Sequence, residues 1–172
     1  MSSHELAQYI DDVSDFPQPG VVFRDISPLL AHHFQDVVNA MAGLYSPEEY
    51  EGVDAFVGVD SRGFIFASAL ATKLGKNFVM PRKAGKLPEP YAMQDYDLEY
   101  GTATLHLKHG QGNVIVVDDV AATGGTLYAA ADLCVAAGYN VKGFMTLIDL
   151  KFLNEFSWNG LNVRSVIQYE NA

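Results

Sequence analysis

The stretch Asn113-Val-Ile-Val-Val-Asp118-Asp119-Val-Ala-Ala-Thr-Gly-Gly-Thr126 decides the fold. Its run of four β-branched residues is typical of a strand buried on both faces of a parallel sheet. Asp118 and Asp119 follow, and open α/β sheets bind ligands at the carboxyl ends of their strands. The glycine loop, with an Ala-rich helix predicted behind it up to Gly138, offers backbone amides and a positive helix end to an anion. The stretch therefore indicates a pocket for a sugar phosphate.

Each half of this stretch has a simpler interpretation when it is taken alone, since two acids or a Thr-Gly-Gly-Thr sequence also suit a plain turn. The ordered combination is more specific, and it resembles type I phosphoribosyltransferases, in which such acids and such a loop hold phosphoribosyl pyrophosphate. The resemblance implies that Asp118 and Asp119 face the ribose hydroxyls and stabilise positive charge that builds on the ring. The 5-phosphate would lie on a loop of five residues: Ala122, Thr123, Gly124, Gly125 and Thr126.

Length, charge and cysteine content limit the classes of function. The 172 residues favour a single domain over 1–172. A net charge of −10 argues against nucleic-acid binding as the main task. No apolar run approaches the ~18 residues of a membrane span, and the N-terminus lacks a signal-peptide pattern. The single cysteine, Cys134, is expected in the core, and a reducing, cytoplasmic location is predicted.

Two further loops supply basic side chains after predicted strands. One is Asp60-Ser-Arg62-Gly-Phe, which resembles the pyrophosphate loop of adenine-specific members of the family. The other is Arg82-Lys-Ala-Gly-Lys86, which resembles those members as well. A surface ion pair between Asp60 and Arg62, or a solvated charged face, is the simpler alternative. The resemblance implies that Arg62, Arg82 and Lys86 neutralise pyrophosphate, which an acidic protein must hold with local cations.

The N-terminal segment predicts a site for a planar base. Residues 21–28, Val-Val-Phe-Arg-Asp-Ile-Ser-Pro, form a short extended segment whose simplest role is an edge strand. The segment also resembles adenine phosphoribosyltransferases, in which residues 1–30 would form a hood over the base. The resemblance implies that Phe23 stacks on the ring and that backbone groups of Val22 and Arg24 read its edge. Leu150 would cover the second face, although a plain core leucine is equally consistent. Residues 4–14 have the apolar spacing of an amphipathic helix.

A long irregular segment is predicted between residues 88 and 101, and loops of this length in compact domains are commonly lids. Its end, Leu98-Glu-Tyr-Gly101, matches the adenine-specific pattern. The resemblance implies a mobile lid over residues 82–101 that carries Glu99 and Tyr100 and excludes water. Glu99 would take the proton of the purine as its N9 attacks. The alternative is an exposed carboxylate that leads into a strand.

Strands that alternate with helices predict an α/β fold, with a mainly parallel central sheet flanked by helices and a small N-terminal hood. The loops after 59, 81 and 117 would meet at one edge of this sheet. The resemblance implies a homodimer that transfers the phosphoribosyl group from phosphoribosyl pyrophosphate to adenine, giving AMP and pyrophosphate. Mg²⁺ would be held mainly through the substrate and water, with no direct protein ligand.

Two other functions stay open. A phosphoribosyltransferase for another purine, such as hypoxanthine or guanine, usually has a side-chain donor for the 6-oxo group after the last strand. Asp149-Leu150 offers no obvious donor there. A non-catalytic regulator that senses phosphoribosyl pyrophosphate and binds nucleic acid is the second alternative. The −10 charge and the lack of a helix-turn-helix extension count against it.

Overall fold

The computed structural model describes residues 1–98 and 101–172. Five strands form the central parallel sheet, in the spatial order β10, β9, β8, β3, β4. These strands are β3 (Ala55–Gly58), β4 (Asn77–Val79), β8 (Gly112–Ala121), β9 (Tyr139–Leu150) and β10 (Val163–Tyr169). The helices are α1 (Ser3–Ala7), α2 (Ser27–Ala42), α3 (Pro47–Glu51), α4 (Arg62–Leu74) and α5 (Gly125–Ala137), and a 3₁₀ turn spans Lys151–Leu153. The predicted α/β fold with a parallel central sheet is therefore confirmed.

Alternate residues of the central strands pack into two separate hydrophobic clusters, one on each face of the sheet. Phe56, Ile115 and Met145 point into the cluster that includes residues of α1, α2 and α4. Val57, Val116 and Phe144 belong to the opposite cluster, which includes residues of α5. Because successive side chains of a strand point to opposite faces, a run such as Val114 to Val117 serves both clusters.

A second, three-stranded antiparallel sheet forms a ribbon beside the α5 face. Its strands are β5 (Arg82–Lys83), β7 (Gly101–Leu107) and β6 (Ala92–Leu98), in that spatial order. The prediction of an irregular segment over 88–101 is therefore wrong for residues 92–98. Asp95 and Asp97 belong to a residue type that is depleted in strands, and pairing with β7 supplies the hydrogen bonds that order the segment.

The N-terminal region is a hairpin rather than a long helix. The predicted helix over 4–14 is wrong beyond Ala7, because Asp11–Ser14 is strand β1, paired with β2 (Val22–Asp25). Leu6 and Ile10 are nevertheless buried, as their helical spacing suggested. Long-range pairing has overridden the local periodicity here.

Cys134 is fully buried in α5, as expected for a core residue, and burial raises the pKa of its thiol to about 12. Gly138 ends α5 in the left-handed conformation with φ of 112°, which confirms the predicted C-terminal cap. No helix in the described part of the chain is long and apolar enough to cross a membrane.

Candidate active site

The acid pair lies inside strand β8, near its carboxyl end. Asp118 and Asp119 are both buried, and the Asp119 amide donates a hydrogen bond to Asp118 Oδ1 over 2.8 Å. Burial raises the pKa of Asp118 well above its usual range, and the charge of Asp119 raises it further. Asp118 therefore holds a proton at pH values where an ordinary Asp has lost it.

The helix α4 approaches this pair closely because Gly63 has no side chain. A Cβ at Gly63 would lie 2.8 Å from the carbonyl oxygen of Val117 and 3.2 Å from Asp118 Oδ1. Such contacts are too short for a side chain, so only glycine lets the start of α4 rest against the end of β8. This packing brings the loop before α4 to the acid pair.

The glycine loop leads from β8 into α5 without a side-chain cap. Gly124 is the N-terminal cap residue, with φ of 92°, and none of its atoms caps the first turn as a Ser or Asp side chain would. Residues 120–127 line a small cavity of about 60 Å³. A cavity this small accepts one compact group, and the backbone amides of the loop favour an anion there. The predicted loop residues Ala122 to Thr126 all line this cavity.

The three predicted strand-end loops meet, as the sequence indicated, and two ion pairs join them. Arg62 Nε lies 2.8 Å from Asp119 Oδ2, and the side chain of Arg62 is 63% exposed. Arg82 Nε lies 3.2 Å from Asp60 Oδ2. The alternative of an Asp60–Arg62 pair is therefore wrong, since each residue pairs with a different loop. Arg62 is mostly exposed but Asp119 is only 6% exposed, so Arg62 can leave Asp119 only where ligand hydroxyls take over the hydrogen bond to this buried carboxylate.

Asp60 organises the basic loop that follows β4. Burial alone would raise its pKa, but the Lys83 amide, Arg82 and the charge of Lys86 together hold the pKa below its usual value. The Lys83 amide donates to Asp60 Oδ2 over 3.3 Å. Arg82 is thus held near the site by an ionised carboxylate, and the charge of Lys86 lies close enough to lower the pKa of that carboxylate.

Of the predicted base-binding residues in the hairpin, Arg24 reaches the ends of β9 and β10, where Leu150 lies. Arg24 in the hairpin lies over the ring of Tyr169, with 4.3 Å from its Cζ to the ring centroid. Tyr169 is paired in register with Leu150 across β10 and β9. Phe23, the neighbour of Arg24, packs edge-on against Phe16 at 5.1 Å between ring centroids. The contact of Arg24 with Tyr169 therefore brings the hairpin close to the strand end that carries Leu150. Glu99 and Tyr100 lie outside the described residues.

Two residues near the site carried no signal in the sequence. Tyr96 is on the ribbon. Burial raises the pKa of its hydroxyl most, and the nearby charges of Asp60 and Asp118 raise it further, which indicates that this part of the ribbon lies near the acid pair. Asn154 follows the 3₁₀ turn and donates to the carbonyl oxygen of Ala122 in the glycine loop over 2.9 Å. Both contacts depend on the folded arrangement of distant segments, and a single sequence shows neither.

Comparisons with known proteins agree with this geometry. The phosphoribosyl transferase domain family matches residues 29–151. Adenine phosphoribosyltransferase from Hydrogenovibrio crunogenus is 54% identical over 172 residues, which cover 99% of this chain and 100% of that protein. The chain belongs to the adenine phosphoribosyltransferase family. The resemblance that the sequence motifs indicated is thereby confirmed.

Solved adenine phosphoribosyltransferases share the whole fold. The crystal structure of the enzyme from Rhodothermus marinus matches with a TM-score of 0.81 and 36% identity, covering 97% of this chain and 98% of that chain. The enzyme from Saccharomyces cerevisiae, in complex with adenine and D-2,5-dideoxy-2,5-imino-altritol 1,6-bisphosphate, matches with a TM-score of 0.84 and 32% identity. That match covers 95% of this chain and 97% of the yeast chain.

Proposed function

We propose that this protein transfers the 5-phosphoribosyl group of phosphoribosyl pyrophosphate to N9 of adenine, giving AMP and pyrophosphate. One observation carries the proposal. Asp118 and Asp119 lie next to an uncapped helix N-terminus at the carboxyl end of β8. Acids for sugar hydroxyls thus stand beside amides for a phosphate, which is the pair of subsites that a phosphoribosyl group needs. The yeast relative, solved with adenine and a bisphosphate, supports the same pair of ligands.

Binding of phosphoribosyl pyrophosphate would replace a contact within the protein, the Arg62–Asp119 ion pair, with contacts to the ligand. The amides of Ala122 to Thr126 would hold the 5-phosphate, with the hydroxyls of Thr123 and Thr126 as further donors. As the ribose hydroxyls reach Asp119, Arg62 would turn to the pyrophosphate, and its exposed side chain leaves it free to do so. Arg82 and Lys86, which surround Asp60, would neutralise the departing group.

The base would bind between the hairpin and Leu150. Phe23 would stack on one face and Leu150 would cover the other, while backbone groups of Val22 and Arg24 read the rim. Among the described residues, β2 pairs only with β1, so its second edge offers backbone donors and acceptors to a ligand. Selection of adenine through these groups is what we propose for the hairpin.

Bond making and breaking then follow at the ribose C1. N9 of adenine attacks C1 as the bond from C1 to the pyrophosphate oxygen breaks, and the N9 proton passes to Glu99. The ionised acid of the Asp118–Asp119 pair stabilises positive charge on the ring. We propose that residues 82–101 act as a lid that carries Glu99 and Tyr100. The lid would exclude water from the reacting carbon.

We propose that Mg²⁺ takes part through the substrate. The carboxylates of Asp118 and Asp119 are hard oxygen donors, the class that Mg²⁺ prefers, and they would hold the ion indirectly through the ribose hydroxyls and water. Bound there, the ion supplies charge neutralisation for the leaving pyrophosphate. Within residues 1–98 and 101–172, no cluster of three or more His, Cys, Asp or Glu side chains is placed to hold a metal on its own.

Base selectivity is the experiment that tests this function. Initial rates are measured with phosphoribosyl pyrophosphate, Mg²⁺ and adenine, hypoxanthine or guanine as the acceptor. We expect AMP from adenine and at least about a hundredfold lower kcat/KM for both 6-oxo purines. Their ring edges carry a different pattern of donors and acceptors, which would leave polar groups of the base site unpaired. Turnover of hypoxanthine in place of adenine would contradict the proposal. So would binding of phosphoribosyl pyrophosphate without transfer to any base.

We also propose that the protein acts as a cytoplasmic homodimer and does not use nucleic acid as a partner. The single, buried cysteine suits a reducing compartment. An open groove between α2 and α4, with exposed apolar side chains from Phe34 and Ile65, supports association with a second copy.

A further inference from the structure

Asn154 is a half-buried residue that contacts two segments of the candidate site at once, the glycine loop and the end of β9. Its Nδ2 lies 2.9 Å from the Ala122 carbonyl oxygen, 3.0 Å from the Leu150 carbonyl oxygen and 3.0 Å from Asp149 Oδ1. Its Oδ1 accepts a hydrogen bond from the Phe156 amide over 3.0 Å. A side-chain amide has donors on one end and an acceptor on the other, and this position uses both ends.

The acceptors of Nδ2 belong to the two halves of the proposed site. Ala122 opens the loop that is proposed to hold the 5-phosphate, and Leu150 ends β9 where the base is proposed to lie. Asp149, between them, is buried and pairs in register with Ala121 of β8. One side chain thus joins the donor subsite to the base subsite through backbone oxygens on adjacent strands.

The Oδ1 end of Asn154 supports the glycine loop from below. It accepts a hydrogen bond from the backbone amide of Phe156, whose ring is buried. A Cβ at Gly124 would lie 3.0 Å from Cδ2 of that ring. The ring also packs against Tyr128 of α5, with 4.5 Å between centroids, and against Phe144 of β9, at 4.8 Å. Gly124 therefore rests on a ring whose position Asn154 sets.

We propose that Asn154 is a positioning residue that holds the phosphate loop and Leu150 at a fixed separation, so that the donor subsite and the base subsite are both already shaped for their ligands. The proposal rests on the proposed function for the identity of the two subsites. Asn154 lies beyond the 29–151 stretch that the phosphoribosyl transferase domain family matches. Its side-chain amide is engaged by the glycine loop, the end of β9 and the Phe156 amide, so its effect on the reaction passes through these groups.

The test compares Asn154→Ala, Asn154→Asp and the wild type. Asn154→Ala removes all of the hydrogen bonds. Asn154→Asp keeps the size of the side chain and the oxygen that accepts from the Phe156 amide. It replaces the donor Nδ2 with an oxygen, which cannot donate to the three oxygens that Nδ2 contacts. In both variants we expect KM for phosphoribosyl pyrophosphate and KM for adenine to rise together by about tenfold, since buried acceptors lose their donor. We expect kcat at saturation to change less than about threefold, because no reacting group is removed. Glu155→Gln, an exposed neighbour, is the control and stays near the wild type.

A purely structural role for Asn154 has a different outcome. It would lower the melting temperature and leave both KM values within about twofold of the wild type, measured well below the melting temperature of each variant. That result, or a rise in only one KM, overturns the proposal. Should Asn154→Ala fail to fold, Asn154→Asp with the same two KM values gives the decision.

Calorimetric titration with ribose 5-phosphate separates this proposal from the proposed function. The ligand needs only the phosphate loop and the acid pair, so its affinity reports on the loop even if the wild type forms no AMP. We expect both variants to bind ribose 5-phosphate about tenfold more weakly than the wild type. Unchanged affinity would refute the role of Asn154 in the loop, whatever the enzyme's acceptor is.

Discussion

At the scale of single residues, Asp118 is held in a protonation state that costs stability. Its pKa is raised in the folded protein, first by burial and then by Asp119. The unfolded chain, with an ordinary Asp pKa of about 3.9, loses this proton at lower pH than the folded chain. The free energy of unfolding therefore falls as pH rises from about 4 through the raised folded pKa. A ligand that donates hydroxyls to this pair would find a site made at the expense of stability.

Asp118→Asn removes this pH-dependent penalty and keeps the oxygen that accepts the Asp119 amide. At pH 8 we expect the melting temperature of the variant to exceed that of the wild type, by about 2–4 °C for each kcal/mol of unfolding free energy gained. The difference should be smallest near pH 4. Thermal melts between pH 4 and pH 8 measure this. Asp132→Asn is the control with which the trend is compared, since it makes the same substitution at an exposed Asp that accepts one hydrogen bond from Trp158. A variant that is less stable than the wild type at pH 8 would contradict the account.

Glycine at position 124 is required for the shape of the phosphate loop. Its φ of 92° is in the left-handed region, and a Cβ there would press on Phe156 at 3.0 Å and on Tyr128 at 3.3 Å. Gly75 shares the left-handed conformation, with φ of 67°, but a Cβ there would meet no atom within 4 Å. The two positions therefore separate backbone strain from displacement of the loop.

We expect Gly124→Ala and Gly75→Ala each to lose about 1–2 kcal/mol of stability, because an L-residue is strained in this conformation. Only Gly124→Ala should also raise KM for phosphoribosyl pyrophosphate, by about tenfold, because its loop must move away from Phe156. Denaturant unfolding and initial-rate kinetics measure the two effects. Equal KM values for both variants would show that the loop does not bind the donor.

At the scale of elements, the N-terminal hairpin is attached to the body through one buried cation. The side chain of Arg24 is only 9% exposed, lies 3.2 Å from Asp12 on the paired strand and covers the ring of Tyr169. Tyr169 in turn is aligned with Leu150. The side chain of Arg24 thus fixes the position of the hairpin backbone relative to Leu150, which is proposed to cover the second face of the base.

Tyr169→Leu should loosen the hairpin and affect the base alone. We expect KM for adenine to rise about 5- to 30-fold, the equivalent of 1–2 kcal/mol for a desolvated cation–π contact, while KM for phosphoribosyl pyrophosphate stays within about twofold. Tyr169→Phe keeps the ring and should stay close to the wild type. If both variants lost adenine affinity equally, the hydroxyl rather than the ring would be responsible, and the docking account would fail.

The strands that were predictable are those whose own residues carry the signal. Val114 to Val117 is apolar on both faces because both faces are covered, and such a run is visible locally. The helical spacing of Leu6, Ile10 and Val13 predicts a helix, but pairing with β2 makes Asp11–Ser14 a strand. Strand β6 contains Asp95 and Asp97, a residue type that is rare in strands, and it is ordered by pairing with β7.

The candidate site was predictable where motifs carry it and hidden where it depends on contacts. Asp118, Asp119, Arg62 and the glycine loop were named from short motifs, and they lie together. The pairing of Arg62 with Asp119, rather than with Asp60, depends on how α4 packs on β8. Asn154 looks like an ordinary turn residue in the sequence, because the oxygens it contacts come from other strands.

At the scale of the whole molecule, the groove between α2 and α4 predicts where two copies meet. Phe34 and Ile65 are 37% and 42% exposed on its walls, next to Val38 and Ala69. We expect light scattering to give twice the chain mass of 18.8 kDa. The double variant Phe34→Glu/Ile65→Glu should give a single chain mass, because charges placed in an apolar interface oppose association. A wild type of single-chain mass would refute the homodimer.

The central claim is that the acid pair beside the open helix end transfers a phosphoribosyl group to adenine. Its most direct test is a coupled measurement of AMP and pyrophosphate formed from adenine, phosphoribosyl pyrophosphate and Mg²⁺, with the wild type and with Asp118→Asn/Asp119→Asn. We predict equal amounts of the two products from the wild type, and kcat lowered by about 10²–10³ in the double variant, since it cannot stabilise charge on the ribose ring. Absence of AMP with the wild type, or undiminished turnover by the double variant, would contradict the claim.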